Sequence, residues 1–127
     1  MNNDYNVTIT DCSKELSHKE RVKLMDTTSA IRIDKATEGN ADGILIDPDF
    51  YAELSIHNER SDDKDYFNYL IVDKDGSRYL TGSESFWSSF LDIMEEMKDS
   101  DEEFKIRAYR VESKNRPGKQ FITCEII

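Results

Sequence analysis

Two cysteines, two histidines, one tryptophan and two prolines are all that 127 residues hold of these types, and each scarcity removes a class of protein. Cys12 and Cys124 stand near opposite ends of the chain, with no Cys or His at a metal-ligand spacing. Neither a disulfide framework nor a zinc site is expected, and the thiols read as reduced cytoplasmic ones. His18 and His57 cannot complete a catalytic triad or a metal set; His57, beside Glu53 on the polar side of a strand, reads as a surface histidine. Five scattered glycines build no phosphate cradle, and neither a nucleophile elbow nor a His-Glu helix motif occurs. The expectation is a binding protein rather than an enzyme, with no cofactor and no metal.

Long apolar runs are missing as well. Stretches such as Gly43–Ile46 and Leu70–Val72 fall far short of the ~20 residues that cross a bilayer, and Met1 to Asp4 has neither a charged n-region nor an apolar h-region. A non-membrane, cytoplasmic chain of one domain is expected, since 127 residues bury one core and not two independent ones.

What the chain has in plenty is negative charge: 27 Asp and Glu against 17 Lys and Arg, a net −10. That balance argues against tight nonspecific binding to duplex DNA. The charge is unevenly spread. Residues 104–127 carry Lys105, Arg107, Arg110, Lys114, Arg116 and Lys119 against Glu112 and Glu125, a net +4, and the rest of the chain is then at −14. A basic closing segment on an acidic protein is the strongest compositional signal here. The acidic runs Asp62-Asp63-Lys64-Asp65 and Asp99 to Glu103 lack the spacing and the glycine of a calcium loop and read as solvated loops.

Periodicity divides the chain into an N-terminal extension, residues 1–48, and a compact β-rich stretch, residues 49–127. In the extension, Asn6 to Thr10 favours a strand. Ser17 with Glu20 is a capping-box signature for a helix ending near Met25, with Leu16, Val22, Leu24 and Met25 on its apolar side. Ala30 to Ile33 reads as extended, Glu38 to Gly43 as a loop, and Gly43 to Ile46 as a strand stopped by Asp47-Pro48. From Tyr51 the alternation of Ala52, Leu54 and Ile56 with polar residues marks a strand buried on one face. Tyr66 to Val72 reads as a covered strand, Asp73 to Gly76 as a turn, and Arg78 to Thr81 as the returning strand. A helix capped by Ser83 or Ser85 and running to about Met97 carries a wide stripe of Phe86, Trp87, Phe90, Leu91, Ile93, Met94 and Met97, with Trp87 expected in the core. Phe104, Ile106 and Ala108 then begin a closing hairpin whose second strand, Gln120 to Ile127, turns Ile122, Cys124 and Ile126 one way.

Strand, strand, strand, helix, strand, strand is the order of an OB-fold, in which the helix plugs one end of a partly open barrel. The expected fold is therefore mainly β with one core helix, an OB-like five-stranded barrel with a strand-helix extension. An α+β sheet with a helix on its face is the competing architecture. The extension either packs on the compact stretch or makes a homo-oligomer.

OB-folds hold single strands by a basic groove interleaved with aromatic platforms. With Ile106 and Ala108 facing inward, Lys105, Arg107 and Tyr109 share the outer face, followed by Arg110 and by Lys114, Arg116 and Lys119 in the loop before Gln120. Tyr51, Tyr69 and Tyr79 are further stacking candidates, although tyrosines on half-buried strands commonly serve the core, as Tyr66 also can. The bland alternative is a solvated hairpin whose positive charge merely offsets the acidic body.

Asp73 to Phe86, together with Ser113 to Cys124, resembles small early or replication-region proteins of bacteriophages that infect Gram-positive bacteria, some of them single-stranded-DNA-binding proteins. The resemblance implies an OB-fold, protection of single strands in phage replication or recombination, and the host cytoplasm as location. The chain departs from that pattern in having no acidic C-terminal tail, so tail-mediated recruitment of partners is not expected. Two other roles stay open: an acidic protein that binds and inhibits a host DNA-handling protein as a nucleic-acid mimic, and an adaptor docking host or phage replication proteins.

Overall fold

The computed structural model describes residues 4–127. In chain order the elements are β1 (Tyr5–Cys12), α1 (His18–Met25), β2 (Ile31–Arg32), α2 (Ile33–Ala36), β3 (Ile44–Ile46), β4 (Pro48–Asn58), β5 (Asp65–Asp73), β6 (Arg78–Thr81), α3 (Glu84–Met97), β7 (Ile106–Glu112) and β8 (Gln120–Ile126). The fold is mainly β with one core helix, α3. Its strands form a five-stranded sheet, β1-β4-β5-β6-β2, and a three-stranded sheet, β3-β7-β8; among the described residues no barrel closes. The order strand, strand, strand, helix, strand, strand runs from β4 to β8, but β4, β5 and β6 stand in one sheet and β7 and β8 in the other.

Two compact units result, one made of the chain up to Ile31 with Asp49–Gly82, the other of Arg32–Pro48 with Ser83–Ile127. The extension is thus shared between them. The reason is hydrogen-bond supply: β4 and β7 each expose a row of backbone N–H and C=O groups on the side away from their hairpin partner. β1 fills the open side of β4, with Val7 opposite Ile56 and Ile9 opposite Leu54, and β3 fills that of β7, with Ile44 opposite Ala108.

In the first unit the alternation along β4 buries Phe50, Ala52, Leu54 and Ile56, which join Leu24, Leu70, Val72 and Leu80 in one cluster. A bulge between Ile9 and Asp11 shifts the β1 register. The capping box of α1 forms in both directions, Ser17 Oγ accepting from Glu20 N–H and Glu20 from Ser17 N–H, and a 2.8 Å Lys14 bridge helps hold the Glu20 carboxyl down to about 2. Only Leu24 of that helix is buried; Val22 and Met25, expected on its apolar side, are exposed. Its carbonyl end is closed by Arg78, whose Nη1 donates to the Lys23 and Asp26 carbonyls and whose Nη2 donates to Ser29 Oγ. The turn from Asp73 to Gly76 closes on a 2.8 Å bond from Gly76 N–H to Asp73 O, with Gly76 at φ +92° where a side chain would be strained.

In the second unit Ile46, Ile106, Ala108, Ile122 and Cys124 are buried along the sheet, with Phe86, Trp87 and Phe90 of α3. The Trp87 and Phe90 rings stack 5.2 Å apart. α3 follows β8, Ser85 Oγ donating to Ile122 O at 2.9 Å and Ser89 Oγ lying 3.3 Å from Thr123 Oγ1. Its apolar stripe is buried only in the first half; Leu91 is exposed, and Ile126, on the face of Ile122 and Cys124, stays 45% exposed beside Ile93 and Met97.

Two local expectations are corrected. The extended stretch ends at Arg32, because Ile33 opens α2 and is fully buried, with Thr37 Oγ1 donating to Ile33 O at 2.8 Å. β3 ends at Ile46 before Asp47-Pro48 as expected, but the strand expected from Tyr51 already begins at Pro48, a strand end where no ladder N–H is needed. No helix among the described residues is long and apolar enough to cross a membrane.

Candidate nucleic-acid interface

β7 and β8 pair antiparallel from Ile106 opposite Ile126 to Glu112 opposite Gln120. Period-two geometry sends Ile106 and Ala108, both fully buried, to one face and Lys105, Arg107 and Tyr109 to the other. Lys105 lies just before the strand, exchanging backbone hydrogen bonds with Ile127, and its side chain is exposed.

The two arginines of β7 are committed within the protein. Arg107 Nε donates to Glu125 Oε1 at 2.7 Å, its Nη1 donates to Asp42 O at 3.0 Å, and its guanidinium lies 4.1 Å from the Tyr109 ring centroid. Glu125 sits opposite Arg107 in register, so the ion pair follows from the strand pairing. Arg110 is on the inward parity of the strand. Its Nε donates to Thr37 Oγ1 at 3.2 Å and its Nη2 to Asp34 O at 2.6 Å, which ties β7 to α2 and the turn after it. Both arginines hold the segment 34–42 in place. Of the expected cluster, Arg107, Tyr109 and Arg110 are therefore structural first: the Tyr109 face is partly covered by Arg107, and Arg110 points to the backbone of α2 rather than outward.

The same segment is pinned at Gly43. There φ is +72°, and an added Cβ would lie 2.1 Å from the Ala108 carbonyl oxygen, so only glycine allows the approach to β7. Asn40 Nδ2 donates to Gly43 O at 3.0 Å and closes the turn from within.

The hairpin tip differs. Ser113 N–H donates to Lys119 O at 2.9 Å and Lys119 N–H to Arg116 O at 3.0 Å, with Gly118 at φ +84°. Lys114, Arg116 and Lys119 are exposed. None of their side chains forms an ion pair or hydrogen bond among the described residues.

Tyr51, Tyr69 and Tyr79 belong to the first unit. Tyr69 is buried, leaving no ring face for a base, and drops out of the candidate set. Tyr51 and Tyr79 are half-buried; the Tyr79 hydroxyl is pushed up by desolvation and by the Asp73 and Asp75 carboxylates.

Elsewhere, His57, read as a surface histidine, meets two carboxylates: Nδ1 lies 2.8 Å from Asp65 and Nε2 lies 2.7 Å from Glu59. These bonds, Asp65 first, raise the imidazole above its ordinary value, and His57 and Lys64 lower Glu59. Both thiols are free, and burial pushes the Cys124 thiol up to about 12, so it stays protonated and inert. Sequence reasoning missed the turn 37–43 as a partner of the hairpin; its one local signal was the Asn40 and Gly43 pair of turn formers.

No family model, no curated protein and no solved structure matches the chain.

Proposed function

We propose that this chain binds single-stranded nucleic acid, DNA in the first instance, without catalysing a reaction, and that the tip of the β7–β8 hairpin is its contact element. The observation that supports this reading is the set of three exposed cations at the tip, Lys114, Arg116 and Lys119, with no intramolecular ion pair among the described residues. Lys105 extends the set to the other end of β7, a track of roughly 25 Å at the rise of a strand. Tyr109 and the Arg107 guanidinium plane lie between, offering stacking surface to an unpaired base. Because the arginines of β7 are already engaged, the electrostatic share of binding falls on four lysine and arginine side chains rather than six.

An OB-like barrel is the architecture that the phage resemblance implies for this role; the reading here rests on the hairpin alone and does not need closure. The role implied is protection of strands during phage replication in the host cytoplasm, with replication proteins of phage or host as neighbours. Fluorescence-anisotropy titration with labelled oligothymidine at low salt tests it. Each phosphate contact contributes about 0.7 to the log–log salt slope on a single strand, so four contacts give a slope near −3. Absence of binding, or binding indifferent to salt, refutes the reading.

A second reading has its own observation. Along the outer half of α3 and the linker after it, Asp92, Glu95, Glu96, Asp99, Asp101, Glu102 and Glu103 stand against Lys98. Asp92 and Glu96 rim an apolar groove floored by Ile93, Met97 and Ile126. A basic nucleic-acid-handling protein of the host suits that surface by charge. Capture of one such protein by the immobilised chain, with no oligonucleotide binding, favours this reading over the first.

A further inference from the structure

Between the turn that follows α2 and the tip end of the hairpin lies a cup of about 280 Å³, lined by Thr37, Gly39, Asn40, Ala41, Arg110 and Gln120. Ligand pockets run from ~300 Å³ upward, so the cup has room for one planar heterocycle and little more. All six residues belong to the second unit. The walls are prearranged: Arg107 and Arg110 hold the turn at Asp42 and at Thr37 and Asp34, and Gly43 seats it against Ala108. A site so held loses little freedom when occupied.

Its polar groups are partly spent, and what remains is informative. Asn40 uses Nδ2 on the Gly43 carbonyl, which fixes the amide orientation and leaves Oδ1 as an acceptor. Arg110 uses Nε and Nη2, leaving the Nη1 donors. Gln120 is exposed with its whole amide, donor and acceptor, unengaged among the described residues. Donor, acceptor and an amide that is both therefore border one small cup, beside the methyl of Ala41 and the backbone of Gly39. Glu112 stands opposite Gln120 in the strand register, which disfavours a phosphate here. A neutral ring with a mixed donor and acceptor edge has no such penalty.

We infer that this cup takes one unstacked nucleobase of the strand whose phosphates lie on Lys114, Arg116 and Lys119, with Gln120, Asn40 and Arg110 facing its hydrogen-bonding edge. This rests on the single-strand reading and adds to it a subsite that distinguishes bases. Single-strand readers commonly splay a base out and meet its edge with amide and guanidinium groups.

The experiment has two arms. In the first, the full chain and the variants Gln120→Ala, Ala41→Leu and Lys114→Ala are titrated with labelled homopolymers of thymidine, deoxycytidine and deoxyadenosine. Gln120→Ala removes the free amide from an exposed position, and Ala41→Leu fills the cup; each is expected to weaken the preferred homopolymer about tenfold and to flatten the ranking with the salt slope unchanged. Lys114→Ala is expected to weaken all three alike and to reduce the slope. Salt-dependent binding with a ranking untouched by Gln120→Ala and Ala41→Leu overturns the cup and leaves the strand reading standing. In the second arm, deoxynucleoside monophosphates are added to ¹⁵N-labelled protein, and the side-chain amides of Gln120 and Asn40 are followed by NMR. Shifts centred on these two groups support the cup even where oligonucleotides fail to bind, which removes the strand reading alone. No shift at either amide, with no effect of Gln120→Ala in the first arm, ends the proposal.

Discussion

The body of β7 and the tip that follows it carry the same kind of charge and use it in opposite ways. Arg107 and Arg110 donate to Glu125, to Thr37 and to the backbone carbonyls of Asp42 and Asp34. Lys114, Arg116 and Lys119, a few residues further on, are exposed and meet no acidic partner among the described residues. A guanidinium beside a packed turn finds fixed carbonyls at hydrogen-bond distance, and its planar fork suits them. A cation on a protruding turn finds only water. Basic composition thus says where charge is, while the neighbouring element decides whether that charge remains available to a ligand.

Substitutions that move the turn 37–43 break this comparison most severely. Gly43→Ala combines a positive φ with a Cβ driven into the Ala108 carbonyl, and is expected to destabilise the protein by about 3 kcal/mol in urea unfolding. An unchanged midpoint would show that the turn is not pressed on β7. Arg110→Ala comes next. It leaves the Asp34 carbonyl without its donor in a part-buried place, at a cost of about 1–3 kcal/mol by the same measurement. Arg107→Ala is milder, about 1 kcal/mol or less, because Glu125 remains half in water.

The tip should behave in reverse. Lys114→Ala, Arg116→Ala and Lys119→Ala are each expected to change stability by less than about 0.5 kcal/mol. Each should lower the strand-binding salt slope by about 0.7 in anisotropy titrations. A tip variant that unfolds the protein, or a β7 arginine variant that changes the salt slope alone, would erase the distinction.

The smallest effect lies in the first unit, at the His57 clasp. Its imidazole titrates above the ordinary ~6.5, so the stabilisation from Asp65 and Glu59 is full below that value and is lost as pH rises through the raised one. Glu59, held below its ordinary range by His57 and Lys64, contributes above about 4.5 and loses its contribution as pH falls through its lowered value. The clasp is therefore strongest in mildly acidic solution. Thermal melts of the wild type and His57→Gln should differ at pH 5.5 and converge toward pH 8.5; a constant gap would assign His57 a packing role only.

Much of the fold was legible because its signals are local. The alternation of Ala52, Leu54 and Ile56 appears as a strand buried on that face, the Ser17 and Glu20 pair as a capping box, and Gly76 at the positive φ its turn requires. The aromatic start of α3 is buried, Trp87 included. The candidate site was legible only in part. Lys105, Lys114, Arg116 and Lys119 are exposed as expected, whereas Tyr69 is buried and the arginines are engaged, which no spacing along β7 reveals. Apart from Glu125, their partners lie 65 to 76 residues away in the chain.

By itself the sequence determined the type of every element but α2, most of their limits, the buried faces of β4 and β7 and the concentration of positive charge in the closing hairpin. Tertiary structure alone decided that β1 and β3 complete two separate sheets in place of one barrel. It alone also directs Arg107 and Arg110 to a turn from the extension and forms the cup beside Gln120. The division follows from range: periodicity and capping act over a few residues of one strand or helix, whereas a side chain's partner depends on which distant backbone fills the next open edge.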